Sequence, residues 1–289
     1  MGEIVLVTEN TADLPEEYYQ EHGIEEIRMS YIIDGKTYTG ENSLSAEEFY
    51  AHVRQGAMPT TSQLNAEELR ERYLRLLGEG KEILHLAFSS GLSGSCGAAV
   101  LAANTIREQI PEAKIEVVDT LCASMGQGLL VHKVCEKKEA NPDITMEELA
   151  AYARELVPNL CHNFTVDDLN HLHRGGRVSK TTAVVGTLVG IKPVLHVDDE
   201  GHLISLSTVR GRKKSLTALV DRMEKQVVGF ENDIVFISHG DCLEDAEYVK
   251  RLVEERLGIH RFLINPIGPV IGAHSGPGTV ALFFVGSPR

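Results

Sequence analysis

The sequence lacks tryptophan altogether, and its eight tyrosines and eight phenylalanines bring the aromatic share to only 6%. Proteins that bind single-stranded nucleic acid use aromatic rings as stacking platforms. Positive charge is also scarce, because 28 Lys and Arg residues stand against 42 Asp and Glu residues and leave a formal charge of −14. Since nonspecific nucleic-acid binding depends on cations that neutralise phosphates, these two shortages exclude a general nucleic-acid-binding protein.

Long apolar runs and paired cysteines are missing too. No stretch approaches the ~18 consecutive apolar residues of a membrane-spanning helix, and the first residues contain no basic signal-peptide region. The five cysteines are scattered and never form a Cys-x-x-Cys pair, which favours reduced thiols over disulfides or a zinc site. These absences predict a soluble, cytoplasmic protein.

The residues that are present favour an α/β fold. The chain has 289 residues, of which 43% are hydrophobic, so it can bury a substantial core and exceeds one small domain. As far as residue 158, short apolar strands alternate with amphipathic helices, which is typical of a parallel sheet covered by helices on both faces. The predicted strands are Glu3–Thr8, Ile27–Ile33, Ile83–Phe88 and Ile115–Val118, and the predicted helices are Ser45–Gln55, Asn65–Leu77, Ser93–Gln109, Ser124–Lys138 and Met146–Leu156.

After Pro158 the pattern changes to strands that form a hairpin and are mixed with helices. The turn Asp198–Gly201 joins the first two strands. The chain is therefore predicted to form two domains with a ligand between them: an N-terminal parallel-sheet α/β domain, residues 1–158, and a C-terminal α+β domain, residues 159–289. The predicted elements of the second domain are the strands Ile191–Val197, Leu203–Val209, Ile234–Ser238, Phe262–Pro266 and Thr279–Val285, and the helices Arg212–Val227 and Leu243–Leu257.

Three polar loops are candidates for ligand binding. Thr60-Thr61-Ser62 is typical of a turn before a capped helix. The segment from Ser89 to Ser95 follows a strand and opens a helix. Free N–H groups at a helix start suit an anion, and glycines let the backbone approach the anion closely. The alternative is an ordinary helix start. The segment from Gly272 to Gly278 is predicted to be a loop that leaves the imidazole of His274 free to donate to an anion. A satisfied structural histidine is the alternative there.

A serine hydrolase and a metal site are two other interpretations of polar residues in this sequence. Ser93, Asp119 and His274 occur in the order of an α/β-hydrolase triad, so a serine hydrolase or esterase that uses Ser93 and His274 is an alternative function. However, Ser95 stands where the second glycine of the nucleophile elbow belongs. His171 and the neighbouring histidine lack the additional ligands of a metal site, so no metal is predicted.

A fourth segment carries the sequence Arg174-Gly175-Gly176-Arg177. The preceding aspartates are predicted to cap a short helix that ends at Gly175, and Ser179 is predicted to cap an apolar helix that continues to residue 189. Two guanidinium groups beside a Gly-Gly turn suit a phosphate or an acidic partner. The alternative is that they bind carbonyl groups at a helix C-terminus.

Taken together, these segments resemble the DegV family of bacterial lipid-binding proteins. Four blocks stand in the family's order, and the Arg-Gly-Gly-Arg block is the most specific. One departure lies near the start, where the family usually has Asp-Ser-x-x-Asp-Leu. The four blocks and the departing segment are Thr60-Thr61-Ser62-Gln63, Ser90-Gly91-Leu92-Ser93-Gly94-Ser95, Leu172-His173-Arg174-Gly175-Gly176-Arg177-Val178-Ser179, Gly272-Ala273-His274-Ser275-Gly276-Pro277-Gly278 and Glu9-Asn10-Thr11-Ala12-Asp13-Leu14.

The resemblance implies that the protein holds one long-chain fatty acid with its acyl tail between the domains, without a cofactor and without catalysis of its own. It further implies a separate fatty-acid kinase as partner, to which the carboxylate is presented for acyl-phosphate formation; a lipid chaperone without a kinase partner is an alternative. The matching residues are Thr61, Ser62, Ser93, Gly94 and His274 for the carboxylate, and Arg174 and Arg177 for the phosphoryl group and the partner.

Charge is unevenly distributed along the chain. Between Arg174 and Lys214, eight basic residues and three acidic residues give a net charge of +5. Such a segment suits docking of a kinase or its phosphates, or transient contact with an anionic membrane. The alternative is that Arg212, Lys213 and Lys214 form an ordinary solvated helix start.

Overall fold

The chain up to residue 159 forms alternating strands and helices, as the sequence predicts. A computed structural model describes residues 2–179 and 190–289. The strands of this first part are β1 (Glu3–Glu9), β2 (Glu25–Ile27), β3 (Tyr31–Ile33), β4 (Lys36–Tyr38), β5 (Thr60–Thr61), β6 (Lys81–Ala87) and β7 (Ile115–Asp119). Its helices are α1 (Glu16–Glu21), α2 (Ala46–Arg54), α3 (Ala66–Gly78), α4 (Ser95–Gln109), α5 (Met125–Ala140) and α6 (Met146–Leu156).

The predicted parallel sheet is confirmed. Its strands lie in the order β2-β1-β6-β7, and each neighbouring pair is parallel. Because side chains alternate along a strand, Ile4 and Leu6 of β1 pack in the core that contains α5 and α6, whereas Val5 and Val7 pack in the core that contains α3 and α4. Helices therefore cover both faces.

The predicted start of α2 and the predicted bounds of α6 are confirmed. The side chain of Ser45 accepts a hydrogen bond from the Glu48 N–H at 3.2 Å, and Glu48 accepts one from the Ser45 N–H at 2.9 Å. This is the capping box that the sequence indicates at the start of α2. The helix predicted over Met146–Leu156 has the observed bounds of α6.

The predicted strand Ile27–Ile33 is wrong as one element. It is divided into β2 and β3 by residues 28–30, which belong to no strand, and within this break the Met29 N–H donates to the Asn10 side chain at 3.0 Å. The β3 strand joins a separate sheet of order β4-β3-β5. Thr60 and Thr61, predicted as a turn, form the short strand β5 of that sheet.

The second part contains a mixed sheet of order β10-β9-β8-β13-β11-β12. β11 and β12 are parallel, whereas the other neighbouring strands are antiparallel, and Asp198–Gly201 forms the predicted hairpin turn. The strands are β8 (Leu160–Thr165), β9 (Ile191–Val197), β10 (Leu203–Arg210), β11 (Val235–His239), β12 (Phe262–Pro266) and β13 (Val280–Val285). The helices are α7 (Asn170–Arg174), α8 (Arg212–Gln226), α9 (Leu243–Leu257) and α10 (Pro269–Ser275).

The predicted loop from Gly272 to Gly278 is wrong in its first half. The segment from Gly272 to Ser275 is not a loop but the end of α10, which starts with Pro269 in the position where its fixed φ suits a helix. The strand β8 was not predicted. The division between residues 158 and 159 stays a prediction, and the apolar helix expected after Ser179 lies outside the described residues.

Helix α5 lies between the two sheets. Residues 125–132 of this helix are all buried, whereas Glu139 and Ala140 at its end are exposed. It contacts β6 of the parallel sheet and β8, β11 and β13 of the mixed sheet. In the described part of the chain, no helix is both long and apolar enough to cross a membrane.

Candidate functional site

A cavity of about 370 Å³ lies between the parallel sheet and the mixed sheet. Much of its wall is apolar, and both parts of the chain supply it: Phe88 follows β6, Phe164 lies on β8, Leu172 on α7, and Ala281 and Phe283 on β13. Cavities of ~300–1,000 Å³ with mostly apolar walls and a few polar groups are typical of small-molecule sites.

Four of the five residues predicted to bind a carboxylate line this cavity, namely Thr61, Ser93, Gly94 and His274. The hydroxyl oxygen of Thr61 lies 2.8 Å from Nε2 of His274, although the two residues are 213 positions apart. Ser62, by contrast, is exposed and is not among the described residues of the wall. Successive side chains of an extended segment point to opposite sides, so Ser62 faces away where Thr61 faces inward.

The Ser93 hydroxyl stands at the start of α4. It lies 2.9 Å from the hydroxyl of Ser95 and accepts a hydrogen bond from the Ser95 N–H at 3.2 Å. The Ser95 hydroxyl also accepts a hydrogen bond from the Leu64 N–H at 3.1 Å. These contacts hold the Ser93 side chain at a helix start, where N–H groups and the helix dipole favour an anion.

Arg177 connects the Ser93 loop to the region of His274. Its guanidinium donates to the carbonyl oxygen of Leu92 at 3.1 and 2.9 Å and also to the carbonyl oxygen of Gly175. Burial lowers the pKa of Arg177. Because its described hydrogen bonds go to backbone carbonyls, Arg177 braces the cavity wall. This is the structural alternative that the sequence left open for it.

His274 is held as a neutral imidazole. Burial, with the nearby positive charge of Arg177 as a smaller cause, lowers its pKa to about 4. A neutral imidazole has one donor nitrogen and one acceptor nitrogen. Nε2 meets Thr61, whereas Nδ1 is buried without a hydrogen-bond partner among the described residues. Buried polar atoms are normally paired, so His274, with one ring nitrogen unpaired among the described residues, is not the satisfied structural histidine of the alternative interpretation.

The first glycine of the Arg-Gly-Gly-Arg block makes room for this imidazole. A Cβ atom added at Gly175 would lie 2.2 Å from Nδ1 of His274. The backbone of Gly175 is helical, with φ −71°, so glycine is needed here for space and not for conformation. Gly176 differs, because its φ of +75° is the left-handed region that favours glycine.

Arg174, also predicted to lie near a phosphoryl group, is exposed. Its Nη2 lies 2.8 Å from Nδ1 of His171, and it is not among the described residues that line the cavity. The structure therefore separates the two arginines, with Arg177 in the cavity wall and Arg174 on the surface one residue from Gly175.

The residues of the alternative hydrolase triad are not linked. The carboxylate of Asp119 accepts hydrogen bonds from the N–H groups of Ser90 and Leu121 at 3.2 and 3.1 Å. Because Nδ1 of His274 has no partner among the described residues, the carboxylate that would orient the histidine is missing. Within residues 2–179 and 190–289, no group of three or more His, Cys, Asp or Glu side chains is placed to hold a metal ion.

Sequence reasoning missed five polar residues of the cavity wall: Gln63, Ser124, His162, Ser275 and Thr279. The hydroxyl of Ser275 is buried without a partner in the described part of the chain. His162 donates through Nδ1 to the Leu160 carbonyl oxygen at 2.9 Å, and burial lowers its pKa to about 3. It was missed because β8 was not predicted. Ser275 stands next to His274 in the resembling block, which was the available signal.

Part of the charge excess between Arg174 and Lys214 is neutralised in space. Lys192 pairs with Asp167 at 2.7 Å, and Arg212 pairs with Asp245 at 2.8 Å. Lys213 and Lys214 are exposed at the start of α8. Lys180 lies outside the described residues. The basic surface is therefore smaller than the sequence alone indicates.

Comparison with known proteins agrees with this architecture. The family model described as "Uncharacterised protein, DegV family" matches residues 3–287. The chain belongs to the DegV family. A DegV domain-containing protein of Clostridium perfringens is 40% identical over 291 residues, which cover 100% of this chain and 99% of that protein.

Two solved structures of DegV proteins share the fold. A DegV family protein from Thermus thermophilus, described by its fatty-acid binding, has a TM-score of 0.86 and 29% identity over 98% of this chain and 99% of its own. The fatty-acid-binding DegV family protein of Streptococcus agalactiae has a TM-score of 0.87 and 28% identity over 99% of this chain and 100% of its own. The predicted fold class, a parallel-sheet α/β part followed by a second part with a mixed sheet, is thereby confirmed.

Proposed function

We propose that this protein binds one long-chain fatty acid, with the acyl tail in the cavity between the sheets and the carboxylate at Thr61, Ser93, Gly94 and His274. The observation that carries the proposal is one cavity whose wall is largely apolar and which receives converging donors from β5, the start of α4 and α10. The fatty-acid binding described for DegV relatives at 28–29% identity supports it.

The tail provides most of the affinity. Burying a CH₂ group stabilises by about 0.8 kcal/mol, so a sixteen-carbon chain gains on the order of 10 kcal/mol before ordering costs. The head contributes orientation, because a carboxylate buried without partners costs several kcal/mol. The cavity therefore selects for a molecule with a long apolar chain and one polar end.

The donors at the polar end are neutral. The lowered pKa of His274 leaves its imidazole uncharged at pH 7, and Arg177, the cation among the described wall residues, donates to carbonyl groups. A direct salt bridge would hold a carboxylate tightly and blunt its nucleophilicity. Neutral hydroxyl, amide and imidazole donors satisfy the carboxylate and leave it reactive.

A reactive carboxylate suits presentation to a second protein. We propose that the partner is a separate, ATP-using fatty-acid kinase in the cytoplasm, which converts the bound carboxylate into an acyl-phosphate. Two observations support this. Arg177 and Leu203 line both the cavity and a neighbouring groove of about 330 Å³ that includes Gly176 and Ile204. Arg174 is exposed beside this region. Transient contact with an anionic membrane through Lys213 and Lys214 is a further part of the proposal.

The direct test is the ligand itself. Protein purified from a bacterial host, denatured and extracted, is expected to release about one fatty acid per chain in mass spectrometry. Protein that is empty and cannot be loaded with hexadecanoic acid contradicts the proposal. Hydrolysis of a chromogenic ester by the isolated protein would instead support the hydrolase alternative.

The head group is tested by substitutions that leave the tail site intact. Ser93→Ala and His274→Ala are each expected to weaken hexadecanoic-acid binding about 10- to 100-fold, since hydrogen bonds to charged groups contribute ~1.5–3 kcal/mol. Gly175→Ala is expected to weaken it similarly, because the new methyl group displaces the imidazole. Titration calorimetry of delipidated protein measures all three.

Gly97→Ala is the matched control for Gly175→Ala. A Cβ atom at Gly97, in helix α4, would have no heavy atom within 4 Å apart from its own helix backbone and chain neighbours, so binding is expected to stay unchanged. If Gly175→Ala binds the acid as wild type does, the role assigned to Gly175 and the position of His274 at the head group are wrong.

The kinase role is tested separately. Loaded protein, ATP and a bacterial fatty-acid kinase are expected to yield acyl-phosphate, detected as the hydroxamate, and Arg174→Ala is expected to reduce its formation without changing fatty-acid affinity. Binding of fatty acid without any ATP-dependent phosphorylation would identify a lipid chaperone instead.

A further inference from the structure

The segment from Glu9 to Asp13 does not belong to the cavity wall but contacts three residues of the wall and one residue next to it. None of these five residues is among the described residues that line the cavity. Their side chains nevertheless hydrogen-bond to Met29, Phe88, Ser124 and Gly268. Met29, Phe88 and Ser124 are wall residues, and Gly268 lies between the wall residues Ile267 and Val270.

Glu9 holds the chain where it leaves β6 for the Ser93 loop. Its carboxylate is completely buried, accepts a hydrogen bond from the Phe88 N–H at 3.0 Å and one from the Gln127 side chain at 2.7 Å, and lies 3.1 Å from Nε2 of His85. Ser93 follows Phe88 by five residues. The position of this loop therefore depends on a carboxylate from another strand.

Asn10 is connected to the Ser93 site through Met29. Its side chain accepts from the Met29 N–H at 3.0 Å and donates to the Met29 carbonyl oxygen at 3.5 Å, which holds that residue at both backbone groups. The sulfur of Met29 lies 3.9 Å from the hydroxyl of Ser95, which in turn lies 2.9 Å from the hydroxyl of Ser93. Asn10 thus holds the backbone of the residue whose sulfur contacts the serine pair.

Asp13 holds the opposite wall. One carboxylate oxygen accepts from the Gly268 N–H at 2.9 Å, at the start of the helix that carries His274, and the other lies 2.6 Å from the hydroxyl of Ser124. Its backbone carbonyl accepts from the side chain of Asn265 at 2.7 Å. A residue of the first part of the chain therefore anchors the second part at α10.

We propose that Glu9, Asn10 and Asp13 are positioning residues that set the separation between the two sides of the head-group site, Ser93 on one and His274 on the other. The segment is short and is held at both ends, so it acts as a spacer between the β6–α4 loop and α10. This inference rests on the proposed function, because it concerns how the fatty-acid carboxylate is met by its donors.

The experiment compares two probes that share a tail and differ in the head, hexadecanoic acid and hexadecanol. Asp13→Ala removes the anchor of α10, and Asn10→Ala, at a partly exposed position that tolerates substitution better, releases Met29. Each is expected to lower the ratio of acid affinity to alcohol affinity about tenfold, with alcohol affinity changed by less than threefold. Asp13→Asn keeps one acceptor oxygen and one polar group in place, so it is expected to restore most of the ratio.

Thr11→Val is the matched control. Thr11 is buried like Asp13, but its hydroxyl donates to the Gln127 side chain at 2.9 Å and makes none of the hydrogen bonds through which Asn10 and Asp13 hold Met29, Ser124 and Gly268. It is expected to lose stability without changing the ratio, which separates positioning from a general loss of stability.

The outcomes distinguish the two proposals. Wild-type protein that binds neither probe, or prefers the alcohol, overturns the proposed function. Wild-type protein that prefers the acid, with the same preference in Asp13→Ala and Asn10→Ala, overturns the positioning role alone. A ratio that falls equally in Thr11→Val also overturns it.

Discussion

Ala281→Phe is expected to weaken the binding of hexadecanoic acid by more than 100-fold. Ala281 lies on β13, is 6% exposed and lines the cavity. A phenyl ring there occupies the space of several methylene groups of the tail. At about 0.8 kcal/mol for each methylene that is no longer buried, the loss of four amounts to roughly 3 kcal/mol. Acids of eight or ten carbons are expected to lose much less.

Calorimetric titration across a series of chain lengths measures this result, and the variant's thermal unfolding shows whether the fold is intact. Leu206→Phe, on the exposed side of β10 with 40% of its surface accessible, serves as the control and is expected to bind all chain lengths as wild type does. An intact Ala281→Phe protein with unchanged affinity for the sixteen-carbon acid would place the tail elsewhere.

The second large effect concerns stability and pH. Burial raises the pKa of Asp13 to about 7, against a smaller opposing effect of its hydrogen bonds from Ser124 and Gly268. In the unfolded chain the pKa is that of an ordinary aspartate, 3.8. Between about pH 4 and pH 7 the folded protein therefore binds a proton at Asp13 that the unfolded chain does not bind. The stability contributed by protonated Asp13 is fully present below about pH 4 and is lost as the pH rises through about 7.

Asp13→Asn removes this dependence, because the amide does not titrate. The difference in free energy of unfolding between wild type and this variant is expected to fall by about 2–3 kcal/mol from pH 5 to pH 8, at ~1.4 kcal/mol per pH unit below the folded pKa. Urea unfolding at several pH values measures it. His162 and His274 also have shifted pKa values, but they occur in both proteins and cancel in the difference. A constant difference across the range would contradict the titration assigned to Asp13.

Predictions from the sequence were most successful where the cause is local. The start of α2 follows from Ser45 and Glu48, which are three residues apart and bond to each other. The Asp198–Gly201 turn likewise follows from neighbouring residues. By contrast, β5 exists only because Thr60 and Thr61 pair with β3, about 30 residues earlier. An isolated pair of threonines has no pattern that identifies such a strand.

At the candidate site too, the sequence predicted which residues are involved but not how each side chain is placed. Motif resemblance predicted five residues around the carboxylate. The structure places four of them around one cavity, namely Thr61, Ser93, Gly94 and His274. It places the fifth, Ser62, on the surface. Their contacts with a ligand stay predictions. The sequence also associated Arg174 and Arg177 as a pair, and their separation depends on the path of the chain at Gly175 and Gly176. A motif specifies residue types, whereas the direction of each side chain depends on the backbone around it.

The absence of tryptophan and the shortage of positive charge predict that the protein is not a general nucleic-acid-binding protein. The glycine, hydroxyl and Arg-Gly-Gly-Arg motifs predicted the DegV family, which the family model confirms. Charge, composition and motifs are properties of the chain and do not change on folding. Only the tertiary structure decided that Gly175 makes room for His274, that Arg177 binds carbonyl groups, and that Asp13 holds a helix 255 residues away. Such contacts form only when packing brings distant segments together, because buried polar groups must find partners wherever the fold places them.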